Sequence, residues 1–139
     1  MSTSTIQISL RPGQRIYLNG AVIRTDRKVT LELLNDATFL LESHVLQAHE
    51  TNTPLRQLYF VVQTILIEPN GAERARKLFR QMHADVQASF NNPSINAGLA
   101  MVAIMVEGGR AFDALRLLRN LFPVEAAVLL ASGTHAQAA

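Results

Sequence analysis

The side chains with most chemistry to offer in this chain are its arginines. Eleven of the 13 basic residues are Arg, and a guanidinium makes the bidentate contacts that phosphate groups favour. Arg11, Arg15, Arg24, Arg27 and Lys28 crowd the N-terminal part, with Tyr17 beside Arg15 on one strand face. Exposed strands carrying Arg and an aromatic ring can hold single-stranded RNA by phosphate contact and stacking. The plainer alternative is solubilising charge that also blunts strand edges. Arg74, Arg76, Lys77, Arg80 and His83 form a second group, offset locally by Glu73 alone. A helix with one basic face can lie along a phosphate backbone, and it is equally the wet side of an amphipathic helix. Arg56 stands apart, in the first turn of an expected helix, where the dipole disfavours a cation. It either helps backbone N–H groups hold an anion or pairs with Glu50 or Asp36.

Enzyme signatures are mostly absent. The sequence has no phosphate-cradling glycine loop, no GxSxG and no HExxH. His44 and His49 are five apart, one step beyond a helical i,i+4 pair, and read as surface histidines rather than metal ligands. Glu42 with Glu50, or Asp36 with Glu42, offers paired carboxylates, but no nucleophile lies near them. The chain reads as non-enzymatic, with no metal and no cofactor. The absence of cysteine excludes disulfides and thiolate catalysis. The longest apolar run, Leu99 to Val106, falls far short of the roughly 20 residues that span a bilayer. The N-terminus shows no secretory pattern, so we expect a soluble cytoplasmic protein with no membrane partner. The net charge of +2 is weak evidence for a polyanion partner; distribution must decide.

The elements that must position these groups follow from periodicity. Residues 1–5 read as a frayed end. Ile6, Ile8 and Leu10 alternate with polar residues, as do Ile16 and Leu18, and Val29, Leu31 and Leu33. Arg11-Pro12-Gly13-Gln14 reads as a turn and Asn19-Gly20 as a tight hairpin. Ala21–Arg24 and Thr38–Leu41 complete an antiparallel meander, while 42–50 is open between short helix and strand extension. Thr53 caps and Pro54 opens a helix that runs to Pro69 and is apolar almost all round, with Arg56, Gln57, Gln63 and Thr64 as a narrow polar seam. A helix of that kind must be covered on nearly every side. Asn70 is placed to cap a helix over 72–90, with Ala75, Leu78, Phe79, Met82 and Val86 inward. Asn91 or Asn92 caps the next, which stops at Gly108-Gly109. Arg110–Phe122 forms another, and Pro123 opens a last short helix to Ala131. Met101, Ala103 and Met105, beside the small residues Ala97 and Gly98, offer either core packing or a partner interface, including a homo-oligomer seam. The expected fold is α+β: a small antiparallel β-sheet subdomain (6–50), an antiparallel helical bundle (51–133) and a flexible tail (134–139).

Three stretches carry a family resemblance. Leu10 to Val22 (LRPGQRIYLNGAV), Leu31 to Glu42 (LELLNDATFLLE) and Thr53 to Phe60 (TPLRQLYF) together resemble the FlbT family, flagellar biosynthesis repressors of alphaproteobacteria. The resemblance implies a post-transcriptional regulator that associates with the 5′ untranslated region of flagellin mRNA and promotes its decay. In some members the effect is activating. It also implies FlaF, a small protein acting in the opposite sense, as a candidate partner. Arg11 to Leu18 is similar, too, to the start of the carbon storage regulators, small β-rich dimers that bind untranslated leaders.

Two functions follow. In the first, Arg11, Arg15, Arg24, Arg27 and Lys28, with Arg56, anchor the flagellin mRNA leader and Tyr17 stacks on a base. In the second, the chain is a helical adaptor that holds FlaF or flagellin and touches mRNA only indirectly.

Overall fold

The computed structural model describes residues 6–19, 21–35 and 37–138, with side chains described as far as Ala131. Gly20, Asp36 and the N-terminal end expected to fray lie outside the described residues, as does the His135 side chain. Five strands precede four helices, so the α+β class stands. The strands are β1 (Ile6–Leu10), β2 (Arg15–Leu18), β3 (Ala21–Arg24), β4 (Val29–Leu33) and β5 (Phe39–Leu41). The helices are α1 (Pro54–Ile67), α2 (Ala72–Ser89), α3 (Pro93–Glu107) and α4 (Ala111–Ala138).

The strands do not pair in chain order. β1 pairs antiparallel with β4, and β2 lies between β3 and β5 in a second sheet. Among the described residues, only β2–β3 is a hairpin of neighbours, with Leu18 opposite Ala21 and Asn19 at φ 49° in the turn. Pro12 and Gly13, the latter at φ 80°, turn the chain from one sheet into the other. Proline fixes the first central residue of such a turn and glycine accepts the positive φ at the second. Ile8, Leu10 and Ile16 form a small core between the sheets, flanked by Ile23, Leu31 and Leu41.

Strands β2 and β5 of the second sheet are covered on both faces, whereas Val22 on β3 is exposed. Ile16 and Leu41, paired in register, point to β1 and β4, whereas the next pair, Tyr17 and Leu40, joins the helical core. Strand alternation therefore links two cores through one thin layer. The residues between β5 and α1 are neither α-helix nor strand extension but two 3₁₀ turns, Glu42–His44 and Ala48–Glu50.

α1 is the hub of the helical part. Leu55, Leu58, Tyr59, Val61, Val62 and Ile65 are buried on it, and it packs against both α2 and α4. The expected polar seam is only partly polar surface. Gln63 is 3% exposed, and its amide clasps Leu46, accepting from the Leu46 N–H at 2.7 Å and donating to the Leu46 carbonyl at 3.0 Å. Thr53 caps α1 as expected, its Oγ1 accepting from the Arg56 N–H at 3.2 Å. A second cap comes from far along the chain. Glu125 is 1% exposed and accepts from Thr53 Oγ1 at 2.6 Å and from the Leu55 N–H at 2.7 Å. A carboxylate at this point satisfies free N–H groups and meets the positive end of the helix dipole.

Several helix details differ from expectation. Asn70 does not cap α2; it lies in a 3₁₀ turn, Pro69–Gly71, that runs straight into the helix. Leu78 is 46% exposed, because the α2 seam runs through Ala75, Phe79 and Val86 and leaves it on the flank. Pro123 lies inside α4 rather than opening a new helix, and α4 continues past Gly133 through most of the expected tail. Pro123 has no N–H for the Arg119 carbonyl, a loss of about 3 kcal/mol in a typical helix interior. Buried Leu118, Leu121 and Glu125 on either side hold the two turns in line. Asn92 caps α3, accepting from the Ile95 N–H at 3.0 Å, as expected. Gly98 meets α4 within this chain, where an added Cβ would come 2.6 Å from Leu121 Cδ1. The small residue there serves a helix contact within the chain.

Replacing Glu125 tests the long-range cap. Glu125→Ala should lower unfolding free energy by about 2–4 kcal/mol, the loss expected for charge-assisted bonds to buried donors. Urea denaturation followed by circular dichroism measures it, and an unchanged midpoint would show that the cap contributes nothing.

Candidate nucleic-acid interface

The pairing pattern brings the first basic group together. Leu10 pairs with Val29 at the end of one sheet, and Arg15 pairs with Arg24 at the end of the other. The two turns between them are bonded to each other: the Gly13 N–H donates to the Thr25 carbonyl at 2.7 Å, and Thr25 Oγ1 to the Arg11 carbonyl at 3.4 Å. Arg11, Arg15, Arg24, Arg27 and Lys28 thus flank one end of the strand layer, and all five are exposed. Arg15 and Arg24 stand directly opposite one another across β2 and β3. Like charges in that position repel. Among the described residues, the ion pair in this group is Arg27 with Asp26 at 3.2 Å, between side chains 78% and 81% exposed. Such an exposed pair holds little. Glu42 borders the cluster but spends an oxygen on the Arg15 backbone N–H at 3.2 Å. Tyr17 is half-buried against the helical core, so its ring is committed to packing on the face that carries Leu40.

The second basic group is partly neutralised. Arg76 bonds Glu73 at 3.2 Å, and Arg80 grips both oxygens of Glu107 on α3 at 2.8 and 3.3 Å. The bond from Arg80 holds the Glu107 carboxyl below the usual carboxylate range. His83 is not on the wet face with them. Its Nε2 lies 2.7 Å from the Leu99 carbonyl, in the seam between α2 and α3. Arg74 and Lys77 have no ion pair among the described residues, and they do not make a continuous basic rail. On α3, Met105 is half-buried against the core, whereas Met101 is 46% and Ile104 65% exposed.

Arg56 neither joins the helix N–H groups around an anion nor pairs with Glu50. The N–H groups at the start of α1 are occupied by Thr53 and Glu125, so they hold an internal anion. Its guanidinium lies 4.5 Å above the centroid of the Phe122 ring. Among the described residues it has no carboxylate partner; Asp36 lies outside them. Sequence reasoning missed the residues opposite. Arg119 on α4 donates to Tyr59 Oη at 2.9 Å, and the Tyr59 hydroxyl donates to the His44 carbonyl. The signal for Glu125 was a lone acid in the apolar run after Pro123. For Arg119 there was none, since a charge on an amphipathic helix is the ordinary pattern. Burial pushes the Tyr59 hydroxyl above its ordinary value, against the pull of Arg119, and keeps it a donor. Burial, with the charge of Arg119 second, holds His44 below its ordinary value.

Among the described residues no His, Cys, Asp and Glu group could hold a metal ion, and no helix is long and apolar enough to cross a membrane. The fold and its basic end define a small α+β domain with a solvated, largely unpaired arginine cluster. The chain belongs to the FlbT family, whose model, described as "Flagellar protein FlbT", matches residues 6–129. It is similar to proteins named "Probable flagellum biosynthesis repressor protein FlbT". That of Allorhizobium ampelinum is 52% identical over 126 residues, 91% of this chain and 85% of the relative. That of Mesorhizobium japonicum is 52% identical, over 88% and 84% of the two chains. That of a Chelativorans species is 49% identical over 97% of this chain and 93% of its own. No solved structure gives a significant match.

His44 supplies a direct check of the charge at Arg119. Its folded value lies below the unfolded one, so the unfolded state binds more protons. Stability tied to His44 is therefore complete above pH about 6.5 and falls as pH drops from there through the lowered value. In Arg119→Gln, NMR titration should place His44 higher than in the parent yet still below its ordinary value, because burial is the larger cause. An unmoved titration would show that the two groups do not sense each other.

Proposed function

We propose that this chain represses flagellin synthesis after transcription, by binding the 5′ untranslated region of flagellin mRNA through the arginine end of its strand layer and promoting decay of the message. The observation that carries this reading is the Arg15–Arg24 pair, two like charges held in register, neither side chain in an ion pair among the described residues, with the nearby Glu42 carboxylate bonded to the Arg15 backbone. A protein that kept them only for solubility would gain by spacing them. A phosphate bound between them turns the repulsion into shared attraction. Arg11, Arg27 and Lys28 extend the same end toward further phosphates of the RNA backbone. Tyr17 supplies packing beneath them rather than stacking. The name of the relatives, flagellum biosynthesis repressor, supports the direction of the effect. Decay would follow from blocked ribosome access or from exposure to a host nuclease. The protein acts in the cytoplasm, where the message is.

A second reading is favoured by Met101 and Ile104, exposed together on α3. Here the helical body holds FlaF or flagellin, and the effect on mRNA is indirect.

Salt-titrated binding of a flagellin leader to the pure chain separates the two. The double variant Arg15→Ala, Arg24→Ala should flatten the slope of log K against log salt by about 1.4, or roughly 0.7 for each phosphate that is no longer neutralised. An unchanged slope and affinity would remove this end of the molecule as the binding site. Met101→Glu should leave leader binding as it was and, under the second reading alone, abolish capture of FlaF.

A further inference from the structure

We propose that the cleft between the two 3₁₀ turns, α1 and α4 is a phosphoryl-binding site, with Arg56 and Arg119 as its cationic arms, and that it takes a phosphate of the same RNA strand held by the arginine end. His44, Glu50, Tyr59 and Phe122 complete its lining. The two guanidinium groups reach it from different helices and are locked in place. Arg56 is stacked at 4.5 Å on Phe122, and Arg119 is tied to Tyr59 at 2.9 Å. The rings of Tyr59 and Phe122 touch in turn, with centroids 5.4 Å apart. Of the side-chain N–H groups on the two arginines, a single one, from Arg119 to Tyr59, has an acceptor in the chain among the described residues. A stacked guanidinium keeps its N–H edge free, and that edge is the part that meets a phosphate.

The acids nearby do not satisfy these arms. Glu50 is engaged in the second 3₁₀ turn, accepting from the Gln47 N–H at 2.8 Å. Glu42, at the mouth of the first turn, accepts from the Arg15 backbone. Glu125 is turned into the start of α1. Two cations thus face one carboxylate, Glu50, whose Oε1 is bonded to the Gln47 N–H, beside the rings of Tyr59 and Phe122. Position gives the source. The first 3₁₀ turn follows β5 directly, and Glu42 in it touches the first residue of β2, where the Arg15–Arg24 pair stands. A strand held at that pair and continuing along the turn meets the cleft next. The source of the phosphate rests on the RNA reading; the cleft's affinity for phosphoryl groups does not.

The test uses the full chain with two probes, orthophosphate and the flagellin leader. Orthophosphate should shift the side-chain Nε–H signals of Arg56 and Arg119 in NMR spectra and raise the His44 titration, since an anion would then share the cleft with its ring. Absence of both changes would overturn the site. Arg56→Gln and Arg119→Gln should each weaken leader binding about tenfold, the value of one charged hydrogen-bonded contact. Arg116→Gln, which removes an equal charge from the exposed side of α4, should leave it unchanged. Equal losses in Arg116→Gln and Arg119→Gln would reduce the effect to net charge and overturn the site. Arg56→Gln breaks no side-chain hydrogen bond among the described residues, so it decides the matter if Arg119→Gln folds poorly. Should orthophosphate bind while the leader ignores both cleft variants yet still requires Arg15 and Arg24, the shared strand is overturned and the arginine end stands. Should the parent chain bind no leader at all, the RNA reading fails and the orthophosphate signals alone judge the cleft.

Discussion

The structure depends on covering one helix. α1 is apolar around almost its whole circumference, and water must be kept from it along its length and at its end. α2 takes one side and α4 another, and the strand layer closes a third through Tyr17 and Leu40. The short stretch between strands and helices is drawn in as well, by the Gln63 amide on Leu46. At the N-terminus the same demand is met by a carboxylate rather than by apolar area. Glu125 reaches across from α4 to receive the Leu55 N–H. Burying that charge is costly unless donors surround it, and here a helix end and a hydroxyl supply them.

Because the helical core covers Tyr17 and Leu40, the sheet β3-β2-β5 is free on that face only at β3, where Val22 is 60% exposed. Its other face is filled by β1 and β4. What else remains accessible is the end, where the turns after β1 and β3 meet. The basic residues are found there, and on the first 3₁₀ turn beyond it the backbone passes toward Arg119 and Arg56. A platform of arginines on an open sheet is thus replaced by a rim. Rim contacts suit a flexible single strand, which bends around an edge, better than a rigid duplex.

Much of this was legible from local chemistry. Pro12-Gly13, Asn19, Thr53-Pro54 and Asn92-Pro93 each announce a turn or a cap through residues whose φ preferences or side-chain acceptors act within a few positions, and each is where it was expected. Strand order was not legible, because whether β1 pairs with β2 or with β4 is decided by which apolar faces can be buried together. Pro123 misled for a similar reason: its local preference is to end a helix, and the packing of Leu118 and Leu121 against the core outweighs it. Gln63 looked like surface because its partner, Leu46, is a backbone group of a distant segment. At the candidate interface, the grouping of Arg11, Arg15, Arg24, Arg27 and Lys28 could be read from spacing. The covering of Tyr17 and the pairing of Arg76 and Arg80 with acids could not. Arg119 gained significance only when Tyr59 and His44 stood beside it.

The separation between Leu55 and Glu125 has a consequence for the moment at which the protein matures. The anion that secures the start of the hub helix is made 70 residues after the N–H it receives. Until it is made, the strands, α2 and α3 wait on an unlatched rod. Closure of that end therefore waits for α4, and a chain cut short before α4 would leave the start of the hub helix without its anion.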